Sequence, residues 1–211
     1  MKSSRKNTLS GILAAGVAAV ALSFGIVPGM AQKGDPVRVR GTVASLDGST
    51  LVVHSREGAD VSIHMADDWG AIGVVKASMA DIKPGVFVGA ASLPQSDTSL
   101  RAIEVLVFPE AMRGSGEGHY PWDLKPSSTM TNATVGNAVD GVDGRTVTLS
   151  YKGGEKKITI PADAPIVTFT QAAKTDVKAG APVFVPTQRQ ADGTMTAGRV
   201  VVGKDGVVPP M

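Results

Sequence analysis

The sequence predicts an all-β protein: two tandem, small OB-like β-barrel domains joined by an ordered loop, after an N-terminal signal helix. Three observations carry this expectation. The chain repeats itself at an offset of 95 to 96 residues. Asp-Gly and Gly-Gly pairs punctuate runs of alternating apolar residues. The composition, 43% hydrophobic and 19% charged with 25 Gly and 13 Pro among 211 residues, is that of a turn-rich globular chain.

The N-terminal segment reads as an address. Lys2, Arg5 and Lys6 precede an apolar run from Gly11 to Val27, and small residues follow at Gly29 and Ala31. Basic, apolar, then small is the order of a secretory signal peptide, here residues 1–31 with cleavage after Ala31. The rival reading is a retained anchor. A run of 17 residues diluted by Gly, Ser and Ala lies at the lower edge of what spans a bilayer, so no stable membrane insertion is expected after cleavage. Cleavage removes three of 21 basic residues and leaves 18 against 19 acidic ones, near −1. The expected location is periplasmic or secreted. Zero cysteines exclude disulfide scaffolds, thiolate metal sites and thiol catalysis. The balanced charge argues against nucleic acid as a partner, since phosphates call for a basic stripe.

The repeat sets the domain plan. Copy one opens Gly41-Thr42-Val43-Ala44-Ser45-Leu46-Asp47-Gly48 and copy two opens Gly136-Asn137-Ala138-Val139-Asp140-Gly141-Val142-Asp143-Gly144. Asp81-Ile82-Lys83-Pro84-Gly85 then matches Asp176-Val177-Lys178-Ala179-Gly180, and Leu100 to Val105 matches Met195 to Val200. The expected organisation is one β-domain over 36–108, a Gly/aromatic connecting loop over 109–132, a second β-domain over 133–203 and a tail over 204–211. Each copy reads as three strands, a short helical step and a final strand pair. Asp-Gly supplies the positive φ that a tight hairpin demands. A turn centred on Gly153-Gly154 sets Leu149 opposite Ile158 and Val147 opposite Ile160. One centred on Gly58 sets Val53 opposite Ile63 and Leu51 opposite Met65. All eight then point inward. Five short strands per copy favour closure into a barrel, which hides sheet edges, and open sheets packed face to face are the alternative. Domains this small are expected to dock on each other.

The Gly41 to Val53 opening, G-T-V-x-x-L-D-G-x-x-L-x-V, together with the D-I-K-P-G step at Asp81 to Gly85, resembles an exported bacterial family of unknown function built from OB-like β-repeats. Copy two departs from it at Asn137-Ala138. The resemblance implies fold and export, and it implies no catalytic residue.

The connecting loop is the odd segment. It places His119, Tyr120, Trp122 and Asp123 together, just after Gly114, Gly116 and Gly118, in a chain with only 4% aromatic residues. Flexible linkers avoid large aromatics, so this loop is expected to pack, over a ligand or as a plug between domains. Tyr120, Trp122 and His119 are the expected recognition surface, shaped by Gly116 and Gly118, with Asp123 orienting His119 or bonding a ligand. Its partner would be an unknown protein or small molecule. On the pairing above, His54 and His64 are diagonal neighbours on an outer face, where two imidazoles could meet on one metal ion. Ser115, His119 and Asp123 lack the scaffold of a hydrolytic triad. The expected function is therefore a non-catalytic exported binding or scaffold protein without a cofactor. The alternatives are a periplasmic metal-binding accessory protein using His54 and His64, and an envelope structural protein without a ligand.

Overall fold

The structure, a computed structural model, describes residues 34–96, 98–141 and 144–211. The expected signal segment, and Asp143 of the second Asp-Gly pair, lie outside the described residues. The described residues are all-β, with helix confined to single 3₁₀ turns at Met79–Asp81, Glu110–Met112 and Lys174–Asp176. None of these is long or apolar enough to cross a membrane.

Copy one supplies β1 (Asp35–Asp47), β2 (Thr50–Ser55), β3 (Asp60–Lys76), β4 (Phe87–Ser96) and β5 (Ser99–Val107). The connecting segment adds β6 (Gly118–Pro121). Copy two follows with β7 (Thr129–Gly141), β8 (Gly144–Tyr151), β9 (Gly154–Ile160), β10 (Ile166–Gln171), β11 (Pro182–Arg189) and β12 (Met195–Gly203). The long β3 thus corresponds to β9 and β10 together. Pro161 and Pro165 break the second copy of this strand, because proline cannot donate to the ladder.

The pairing closes a five-stranded barrel in the order β1-β2-β3-β12-β11 and back to β1. The β3–β12 contact is parallel and the others are antiparallel. A second ring of pairings runs β4-β5-β9-β8-β7 and back to β4, with β5–β9 parallel. Each ring therefore takes three strands from one copy and the closing hairpin from the other, where one barrel per copy was expected. The physical cause lies in the third strand. At 17 residues, β3 extends roughly 55 Å, long enough to pair with β2 near its start, with β12 from His64 to Val74, and with β10 on the edge that β2 leaves open. Its second half keeps its pairing with β12 along one edge and runs antiparallel to β10 along the other, with Val74 opposite Phe169. Each copy crosses the middle of the molecule there and delivers its closing hairpin to the other ring. This is an exchange of identical elements, made within one chain.

Three cores result. Leu51, Val53, Ile63 and Met65 pack with Val183 and Val200 inside the first ring. Val147, Leu149, Ile158 and Ile160 pack with Val88 and Val105 inside the second. Val74, Leu106, Val167, Phe184, Val201 and Met211 form a layer between them.

Both hairpin registers differ by two residues from expectation. Leu51 lies opposite Ile63 and Val53 opposite Val61, while Val147 lies opposite Ile158 and Leu149 opposite Lys156. The turns sit earlier than the glycines imply. Lys152-Gly153 is the two-residue turn, with Gly153 at φ 110°, and Gly58, at φ 87°, ends a turn that Ser55 N–H closes on the Ala59 carbonyl. A two-residue slip keeps every side chain on its face, so the eight expected inward residues are all fully buried.

Candidate functional site

The connecting segment is built onto the sheet. Its strand β6 pairs with the start of β7, Tyr120 opposite Met130 and His119 opposite Thr131. Because neighbours on a strand point to opposite faces, Tyr120 and His119 part company. His119 Nδ1 meets Thr131 Oγ1 at 2.8 Å and its ring stacks on Tyr151 at 6.4 Å. Burial, then the nearby Lys156 ammonium, lowers its pKa below the ordinary histidine value. Tyr120 faces the other way and meets Trp122 edge-on at 6.1 Å.

Asp123 does not orient His119. It accepts from Arg40 Nη2 at 2.7 Å and Arg38 Nη1 at 3.3 Å. Burial pushes its pKa up, but the Arg40 and Arg38 guanidiniums outweigh this and hold it below the usual carboxylate range. Arg38 also lies 3.9 Å above the centre of the Trp122 ring. Arg40 is itself buried, donates Nε to the main-chain oxygen of Met211, and lies 5.3 Å from the Phe184 ring centre. Two outward arginines of β1 thus clamp the loop. Their signal in the sequence is the alternation Val37-Arg38-Val39-Arg40, which turns both cations out of the ring.

Between the rings, under this loop, lies a cavity of about 390 Å³, at the small end of the roughly 300–1,000 Å³ typical of ligand sites. Its apolar wall includes Leu106, Phe108, Phe169, Phe184 and Val201. Gly116, Tyr120 and Trp122 of the expected recognition surface line it, and His119, Gly118 and Asp123 do not. Gly116 is at φ 60°, and a Cβ there would come within 3.1 Å of Asn132 Nδ2. Gly70 and Arg199, opposite each other across β3 and β12, are exposed and mark the mouth.

Sequence reasoning missed the residues that give the cavity its chemistry. Glu104 of β5 is completely buried, and neither carboxyl oxygen has a hydrogen-bond partner. Burial raises its pKa to about 8, against the opposing pull of Arg40 and Arg56. Asn132 gives Nδ2 to the Ser115 carbonyl at 3.0 Å and to Tyr120 Oη at 3.3 Å. The Ser115 carbonyl can only accept, so the amide orientation is settled and Oδ1 is left without a partner. Trp122 Nε1 is likewise buried and unpaired. The available signal was a carboxylate inside the apolar run from Ala102 to Phe108, with Arg199 at the matching place in copy two.

The expected metal pair is separated by the observed register. His54 lies opposite Asp60 and shares a 2.8 Å contact with its carboxylate, while His64 lies opposite Thr50. Four residues from Asp60 to His64 span roughly 13 Å of strand, so the imidazoles do not converge. Among the described residues no three His, Cys, Asp or Glu side chains gather as a metal site. Comparison with known proteins gives no match to a family model, a curated protein or a solved structure.

Proposed function

We propose that the protein is an exported, non-catalytic binding protein made of two OB-like barrels, holding a small and largely apolar ligand in the cavity between them. The loop residues Tyr120 and Trp122 form the wall that closes over it. One observation carries this reading. Among the described residues, four of the seven buried side-chain polar atoms without a partner belong to Glu104, Asn132 and Trp122, which line this single cavity. A buried polar group left unpaired costs about 1–3 kcal/mol, and native proteins tolerate few of them. A bound molecule would supply the missing partners.

The test is a calorimetric titration of the protein with the neutral probe 4-phenylbutanol, repeated on Gly70→Phe. A Cβ at Gly70 meets nothing within 4 Å, so the new ring can fill the mouth without displacing backbone. Saturable binding that Gly70→Phe abolishes is the expected result. Absence of binding, or equal binding by the variant, would remove the reading.

A further inference from the structure

We propose that the ligand of this cavity is a monocarboxylate with an apolar body, entering past Arg199 and seating its headgroup against the Glu104 carboxyl and the Trp122 indole N–H. The inference rests on the binding reading above and adds the chemical class.

The polar inventory of the cavity is donor-rich. Indole Nε1–H can only donate, and in Trp122 it is buried and unused. Tyr120 Oη already accepts from Asn132 Nδ2, so its own proton is free to be given. The sole unpaired acceptor outside the Glu104 carboxyl is Asn132 Oδ1. Such a set fits a headgroup that accepts several hydrogen bonds, and a carboxylate is the strongest small one.

The charges around the cavity point the same way. Arg199 stands exposed at the mouth and forms no ion pair among the described residues. From β1 and the turn after β2, Arg40 and Arg56 act on Glu104 as positive charges. Asp123 and the Met211 main-chain terminus, which accepts from Arg40, offset Arg40, and Tyr120, its pKa raised by burial, is the other titratable side chain on the wall. Arg199 is the cation on the cavity wall among the described residues, and an ammonium ligand would have to pass it. An anion is drawn in by it.

Glu104 must then hold its proton, and burial keeps it there up to about pH 8. The neutral carboxyl donates to the incoming carboxylate, and two carboxyl groups share one proton, an arrangement that close carboxyl pairs adopt. No bond is made or broken, and the proton stays between the two oxygens. Above the Glu104 pKa the pair becomes two like charges and the ligand is released.

Three probes with one phenylbutyl body test this: 4-phenylbutyrate, 4-phenylbutylamine and 4-phenylbutanol, titrated into the protein from about pH 6 to about pH 10. The butyrate is expected to bind tightest at pH 7, by about tenfold over the alcohol. Its affinity should fall about tenfold per pH unit above the Glu104 pKa. Glu104→Gln, whose amide still donates, should keep butyrate binding and lose that pH dependence. Arg199→Leu, at the exposed mouth, should weaken the butyrate severalfold more than it weakens the alcohol. Tightest binding by the amine, no preference for butyrate over the alcohol, a flat wild-type profile, or an unaltered slope in Glu104→Gln would each overturn the inference while leaving the binding site in place. Failure of all three probes would remove the site itself.

Discussion

Inside the rings, Leu51, Ile63, Leu149 and Ile158 are wholly buried among other aliphatic side chains. The layer between the rings instead brings Leu106, Phe108, Phe169 and Phe184 together with a carboxyl, an amide oxygen and an indole N–H that lack partners. Both regions come from the same strands, one from each face of the pleat. Inner faces are brought together on every side by ring closure, so aliphatic side chains fill them. Outer faces meet in the layer beside the β3–β10 ladder, and the two copies differ in sequence there. Phe184 in copy two corresponds to Gly89 in copy one, and Arg199 corresponds to Glu104. A Cβ on Gly89 would stand 2.6 Å from Asn132 Oδ1 and 3.1 Å from the Phe108 ring. The pseudo-symmetric halves thus differ at the positions that shape the void. Repetition built the frame, and departure from repetition left the site.

The contrast can be broken most directly by emptying a ring. Ile158→Ala should cost about 2–5 kcal/mol in urea unfolding, whereas Gly70→Phe, at the cavity mouth, should change stability by less than about 0.5 kcal/mol. Equal losses would mean that the layer is packed as tightly as the rings.

Next in size is the pH response of the layer's carboxyl. Glu104 has a folded pKa of about 8 against an ordinary value of 4.5. Between these values the unfolded chain has lost the proton and the folded chain keeps it, so stability falls as pH rises through this window and levels off above it. The slope approaches about 1.4 kcal/mol per pH unit. Denaturant melts across the window should show this decline in the wild type, and Glu104→Gln should remove it. A Glu104→Gln curve as steep as the wild-type one would place the titrating group elsewhere.

The smallest effect concerns the loop that walls the layer. Asp123→Ala takes the carboxylate from buried Arg40 and from Arg38, and should cost about 1 kcal/mol, since Asp123 itself is partly solvated. Its pKa is held low in the folded state, so the contribution is present above the unfolded value and is lost as pH falls through the folded one. Hydrogen exchange should quicken over β6 and the turn at Trp122 more than in either ring. Uniform quickening would show that the clamp serves the whole fold.

Much of the frame was legible. Alternation assigned Leu51, Val53, Val147 and Leu149 to inner faces, and that assignment survived a two-residue register difference because faces repeat every second residue. The aromatic cluster at Tyr120 and Trp122 announced a segment that packs, and β6 pairs it to β7. The rest of the site was legible only in outline. Glu104 looks in sequence like a polar residue on a strand, and Arg40 like a surface cation. Arg40 is covered by a loop and a C-terminal segment that reach it from elsewhere in the chain, and Glu104 lies where both copies meet.

By itself, then, the sequence determined the strands, their inner faces and the doubling of one β-unit, because side-chain alternation acts between near neighbours. Only the tertiary structure decided which ring each hairpin closes and which polar groups are left without partners. Strand exchange rests on a long β3 pairing with β10, and the unpaired carboxyl rests on groups brought in from both copies, and neither relation exists until distant segments meet.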